Sequence, residues 1–126
     1  MSAQNAVVID FETSGMSPDY GDRAIEIGAV RIVNGEIADE FQALMNPGFK
    51  VSSFIQEFTG IDNKMLEKAA SCEEVMRDFH GFLGDSHLIA HNASFDKRFL
   101  DNEFALINKQ YPGEFACSML LARRVY

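Results

Sequence analysis

Val7-Val8-Ile9-Asp10-Phe11-Glu12-Thr13-Ser14-Gly15 decides the reading of this 126-residue chain. Val7, Val8, Ile9 and Phe11 suit a buried strand. Asp10 does not, because aspartate is a poor strand former and an ionised carboxylate is rarely buried unless paired or bound to metal. Glu12 follows at i+2. Side chains two apart on a strand share a face, with Cα atoms about 6.6 Å apart. Two carboxylates therefore look out of one face near the strand's end, just before a loop of Ser, Gly and Pro. Such a pair is suited to a metal ion and calls for a third partner elsewhere in the chain.

Working outward, the first strand covers residues 6–11, and Thr13 to Asp22 reads as a loop. Ala24 to Val33 is a second strand. Asn34-Gly35 is a strong hairpin signal. Glu36 to Met45 is the partner strand, with Ile37, Phe41, Ala43 and Met45 on one face and Glu36, Glu40 and Gln42 on the other. These strands predict an antiparallel meander with the carboxylate strand at or near the middle of the sheet. Ser53 to Gln56 fits a capping box opening a short helix, and Asp62 caps a second short one. Ser71-Cys72-Glu73-Glu74 opens an amphipathic helix carrying Val75, Met76, Phe79, Phe82 and Leu83, which Gly84 ends. His87 to His91 is a short strand. Asn92 caps a helix over residues 93–108. Phe115 to Cys117 is a last strand, and Ser118 caps a helix running to Tyr126.

Asp96 lies on the apolar stripe of the helix after His91, three and four residues before Phe99 and Leu100. It is a second carboxylate in an apolar setting. It sits in a first helical turn directly after a strand, where sites in α/β sheets are commonly found. Asp10, Glu12 and Asp96 together offer hard oxygen ligands of the kind Mg²⁺ or Mn²⁺ takes alongside phosphate. Two such ions can activate water and stabilise the leaving oxygen of a phosphodiester. Glu26 reads as a structural carboxylate, and His91 as a hydrogen-bonding residue at a strand end. Arg23, Lys97 and Arg98 read as solvated charge, Asp101 and Glu103 as helix surface. The Phe-rich helices read as core, with Phe11 and Phe95 the exceptions that could meet a base.

Composition agrees with a single domain with its own core. The hydrophobic fraction is 47%, with eleven Phe and no Trp. The net charge of −8 argues against gripping duplex nucleic acid by charge neutralisation, but not against reaching phosphate through divalent cations. No apolar run is long enough to span a membrane, and Met1 to Asn5 has no basic or long apolar stretch. Cys72 and Cys117 form no CxxC pattern and read as reduced, buried thiols in a cytoplasmic protein.

Asp10-Phe11-Glu12-Thr13-Ser14-Gly15, Ile25-Glu26-Ile27-Gly28-Ala29-Val30 and His91-Asn92-Ala93-Ser94-Phe95-Asp96 resemble the DEDD family of 3′–5′ exonucleases. The likeness is to the branch holding the proofreading epsilon subunit of bacterial DNA polymerase III and ribonuclease T. Thr59-Gly60-Ile61 and the run from Cys117-Ser118 to Arg123 match it too, so the resemblance covers essentially Val7 to Tyr126. Ser14 stands where the family's first motif has a second Thr. The resemblance implies an α/β, ribonuclease H-like fold: a mixed sheet of three antiparallel then two parallel strands, flanked by helices. It implies two Mg²⁺ or Mn²⁺ ions in the complete enzyme. Asp10, Glu12 and Asp96 would be catalytic metal ligands, and Phe11, Thr13 and Phe95 would meet the terminal nucleotide. The implied activity is hydrolysis at the 3′ end of single-stranded DNA or RNA, in the manner of polymerase proofreading.

The family also has a His followed five residues later by an Asp, and no His follows His91 here. The expectation is one exonuclease domain over residues 1–126 that lacks its third motif and closing helices, weakly active or inactive by itself. Exposed sheet surface would then favour a homodimer. The competing expectation is a non-catalytic, polymerase-associated domain that binds nucleic acid or protein.

Overall fold

The computed structural model describes residues 5–90, 93–111 and 115–117. Five strands form one sheet: β1 (Asn5–Thr13), β2 (Ala24–Val33), β3 (Glu36–Leu44), β4 (His87–Ala90) and β5 (Phe115–Cys117). Their order is β3-β2-β1-β4-β5. The meander β1–β2–β3 is antiparallel, and β4 and β5 add in parallel on the other side of β1. The mixed sheet implied by the resemblance is thus present, with the carboxylate strand at its centre. The β2–β3 hairpin turns at Asn34 (φ 53°) and Gly35 (φ 82°), two left-handed residues in succession, which Asn-Gly accommodates at little cost.

Among the described residues the sheet is joined by four α-helices. They are α1 (Ser53–Thr59), α2 (Asn63–Glu67), α3 (Cys72–Leu83) and α4 (Ala93–Leu106). Asp62 accepts from the Met65 amide and Ser71 from the Glu74 amide, as their cap positions require. The cap of α1 is Ser52, which accepts from the Ile55 amide, one residue earlier than the sequence pattern suggests. A serine hydroxyl can cap from either position, and Ser52 is the one with extended backbone. Helix α4 stops at Leu106, where Asn108 turns left-handed (φ 57°) and the Lys109 amide closes on the Phe104 carbonyl at 2.8 Å. The Asn92 cap, His91 and the segment from Ser118 lie outside the described residues. Among the described residues no helix is long and apolar enough to cross a membrane.

Strand β1 sends Val7, Ile9 and Phe11 into the main core, where they meet Val75, Met76 and Phe79 of α3 and Phe99, Leu100 and Phe104 of α4. Phe79 sits among Phe41, Phe82 and Phe104, with ring centroids 5.5 to 6.3 Å apart. Arg31 closes the far end. Its guanidinium lies over the Phe82 ring and donates to the Phe82 carbonyl and to Ser86. A smaller cluster of Ile25, Val51, Ile61 and Leu66 seats α1 and α2. The opposite face of the sheet is a shallow hollow of about 490 Å³ that includes Val8, Asp10, Gly28 and Val30.

Ile37 departs from the simple alternation. The β2–β3 register shifts between Arg31 and Ile32, so that Ala38 is extra and Ile37 pairs with Ile32 on the open face. Ile37 is 68% exposed, while Phe41 and Ala43 keep to the core side as expected.

Phe79 has no exposed surface and anchors the aromatic cluster. Phe79→Ala should lower stability by about 3–5 kcal/mol, read as a fall in the urea midpoint with an unchanged slope.

Candidate active site

Period-two alternation places the even-numbered side chains of β1 opposite its core face. Asp10 stands across the ladder from Gly28, and Glu12 from Glu26. A side chain at Gly28 would meet nothing within 4 Å, so the space beside Asp10 is open. Asp10 is exposed and Glu12 half-buried. Glu12 keeps its proton to higher pH than its ordinary 4.5, chiefly through burial and then through the charges of Asp10 and Glu26. Glu26 accepts a long bond, 3.4 Å, from Gln42. Carboxylates whose charges act on one another are the hard oxygen donors that a divalent cation takes.

Beyond Glu12 the β1–β2 register shifts. Thr13 pairs with Ala24, Ile25 is skipped, and the strand ends in a tied loop. Ser14 is the knot. Its amide donates to the Arg23 carbonyl at 2.9 Å, and its hydroxyl accepts from the Arg23 amide and donates to Asp22, both at 3.0 Å. The Ser-for-Thr departure in the motif therefore keeps the hydroxyl that does the tying. The other oxygen of Asp22 accepts from the Ser17 amide. A Cβ on Gly15 would come within 2.4 Å of the Asp22 carboxylate, which these bonds hold in place, so glycine is required there. Thr13 is buried and donates to the Gly15 carbonyl at 2.7 Å.

This loop forms one wall of a cleft of about 520 Å³, and α1 forms the other. Phe11, Glu12, Thr13 and Phe95, all named from the sequence, line it. So do Phe54 and Phe58, which sequence reasoning assigned to the core. They are 70% and 76% exposed, and their rings stack at 5.9 Å with 13° between planes. The signal available in the sequence was their four-residue spacing, which sets them on one face of the short α1. An exposed aromatic pair beside carboxylates can hold a planar base next to a phosphate.

Asp96 lies in the first turn of α4 and is 3% exposed. Strand β4 ends at Ala90, level with Ile9, so α4 begins beside the end of β1. Among the described residues, however, no three His, Cys, Asp or Glu side chains gather closely enough to hold an ion. The charges of Asp10 and Glu26 act on Glu12, while Asp96 is buried in the first turn of α4.

Glu103 and Arg23 overturn their surface reading. Glu103 is 1% exposed and receives the Arg23 guanidinium through two bonds of 2.9 and 2.8 Å, plus the Ala24 amide at 3.1 Å. Arg23 also reaches Glu73 at 3.4 Å. Beneath them the Cys72 thiol donates to the Ala24 carbonyl, and burial, with the Glu103 charge, pushes its pKa up to about 12. Lys97 and Asp101 do pair at the surface, and Arg98 donates to Ser17 at 3.1 Å. His80 packs edge-on against Phe104, away from the cleft.

Comparison with known proteins adds a family and relatives. The RNase_T exonuclease model matches residues 7–126. DNA polymerase III PolC-type of Thermotoga maritima is 52% identical over 94 residues, which are 75% of this chain and 7% of that protein. The 3′–5′ exonuclease DinG of Bacillus subtilis is 39% identical over 112 residues, 89% of this chain and 12% of that protein. Exonuclease X, solved in complex with 5′ overhanging duplex DNA, superposes with a TM-score of 0.75 at 30% identity, covering 96% of this chain and 64% of that one. The chain thus spans a small fraction of the curated relatives it matches.

Because folding raises the Glu12 pKa, the fold favours the protonated form. That contribution is complete below 4.5 and is lost as pH rises through the folded-state value. Glu12→Gln should therefore raise the thermal midpoint at neutral pH and give no gain once carboxylates are protonated. A pH series of melting curves on both proteins checks it.

Proposed function

The chain belongs to the RNase_T exonuclease family, and on that premise we propose a metal-dependent 3′–5′ exonuclease domain acting on the 3′ end of single-stranded nucleic acid. The observation that carries the proposal is the cleft that joins Glu12 to the stacked, exposed Phe54 and Phe58. Asp10 and Glu12 would hold Mg²⁺ or Mn²⁺, with Asp96 completing the ligand set from the start of α4. A cation bound there would supply charge neutralisation and an activated water. Phe11, Thr13 and Phe95 would seat the terminal nucleotide, and Phe54 and Phe58 would stack on its base. The loop tied through Ser14 keeps this wall in one shape, so little ordering is needed on binding. The PolC-type relatives support a setting beside a polymerase, and the DNA held by Exonuclease X supports a strand end as substrate.

That no three His, Cys, Asp or Glu side chains gather closely among the described residues favours a second reading, a domain that binds a strand end without cutting it. Pairing of two copies through the open sheet face belongs to the first proposal. With Asp10, Glu26 and Glu40 near that face, such pairing should strengthen with salt.

A Mn²⁺ titration followed by electron paramagnetic resonance separates the two readings. An exonuclease domain should bind the ion and lose it in Asp10→Ala, and a binding-only domain should show neither effect. Phe54→Ala should weaken binding of a short single-stranded oligonucleotide by about 1–3 kcal/mol in fluorescence anisotropy. Sedimentation velocity checks association, and a strict monomer at high protein and salt concentration would remove the pairing.

A further inference from the structure

Glu103 is a carboxylate buried in the last turn of α4, shielded from solvent and outside the candidate site. Burying an ion pair is rarely a gain in stability over well-packed apolar side chains, so stability alone does not account for it. What an ion pair adds is direction. Arg23 meets Glu103 with two parallel bonds, and the Ala24 amide adds a third to the same carboxylate. The Ala24 amide is available because the register shift at Thr13 breaks the ladder there.

Both ends of this tie lead to the site. On α4, Glu103 follows Asp96 by seven residues. That is two turns, about 10.5 Å of rise, with the two side chains on nearly the same helical face. Pinning Glu103 therefore pins the height and rotation of the face that carries Asp96. On the sheet, Arg23 exchanges main-chain and hydroxyl bonds with Ser14, and Ala24 lies opposite Thr13. Glu12 is the next residue along. The Arg98–Ser17 bond ties the same helix to the same loop, but at the surface.

We infer that the Arg23–Glu103 pair is a positioning device that sets the approach of Asp96 to Asp10 and Glu12. The inference rests on the carboxylate reading of the site. It assigns Arg23 and Glu103 no contact with ion or substrate. Their effect passes through α4 and the end of β1, the two elements that would have to stand in a definite relation for three carboxylates to serve one ion. Apolar packing between the same elements resists separation but permits sliding and rotation, which a fork of three bonds does not.

The test is Arg23→Met/Glu103→Met, an apolar pair that keeps the packing and removes the direction, compared with Glu103→Gln and the unaltered chain. The double variant should fold with a urea midpoint close to that of the unaltered chain. It should bind Mn²⁺ about tenfold more weakly, with an altered resonance spectrum. Amide hydrogen exchange should speed up at Ser14 and in the first turn of α4 and stay unchanged at the core of β1. Arg23→Lys, which retains the charge but not the fork, should fall between. If Asp10-dependent Mn²⁺ binding, the spectrum and exchange are all unaltered in the double variant, the positioning role is overturned and the carboxylate site stands. If Mn²⁺ binding by the unaltered chain ignores Asp10→Ala, the site reading falls and takes this inference with it.

Discussion

Strand β1 is hydrogen-bonded along both edges, to β2 on one side and β4 on the other. From Ala6 to Ile9 its backbone is paired on both sides and beyond Ile9 with β2, so the alternation of its side chains distributes the chemistry. Val7, Ile9 and Phe11 bind the sheet to α3 and α4, and they hold the strand in a single register. That register obliges Asp10 and Glu12 to face away from the core. A slip of one residue would bury both carboxylates and expose the three apolar anchors, so the same burial that stabilises the fold also presents the acidic pair.

Two interruptions of regular pairing shape what surrounds that pair. The shift beyond Glu12 ends the β1–β2 ladder and turns Ile25 to the small cluster under α1 and α2, which seats the aromatic wall of the cleft. It also leaves the Ala24 amide to be met by Glu103. The shift between Arg31 and Ile32 turns the outer end of β3 and sends Ile37 to the open face. Such bulges re-aim side chains at a strand's end. Here the first one stands between the carboxylates and the loop that walls the cleft.

Electrostatically the site and its support are opposites. Glu12 holds its proton more tightly than usual, chiefly through burial and then through the charges of Asp10 and Glu26. Glu103, far more deeply buried, is matched by Arg23 in a bidentate pair. One set of carboxylates is satisfied within the chain and contributes rigidity. The other is left in a state that an external divalent ion would relieve, which is the difference between a structural and a ligand-binding cluster in physical terms.

The sequence by itself determined the strand assignments, the Asn-Gly hairpin, the caps at Asp62 and Ser71, and the conflict of Asp10 and Glu12 with their apolar strand. Each of these depends on residues adjacent in the chain, where propensity and period act directly. It also carried motifs enough to resemble the exonuclease family. Only the tertiary structure decided the rest. Glu103 looked like helix surface because nothing in its own neighbourhood reveals an arginine 80 residues earlier. Phe54 and Phe58 looked like core because aromatic residues usually are, yet among the described residues no layer covers α1 to bury them. Ile37 followed a simple alternation until an extra residue in β3 reversed it. Long-range pairing, ladder register and which faces are covered are properties of elements brought together, and no window of sequence contains them.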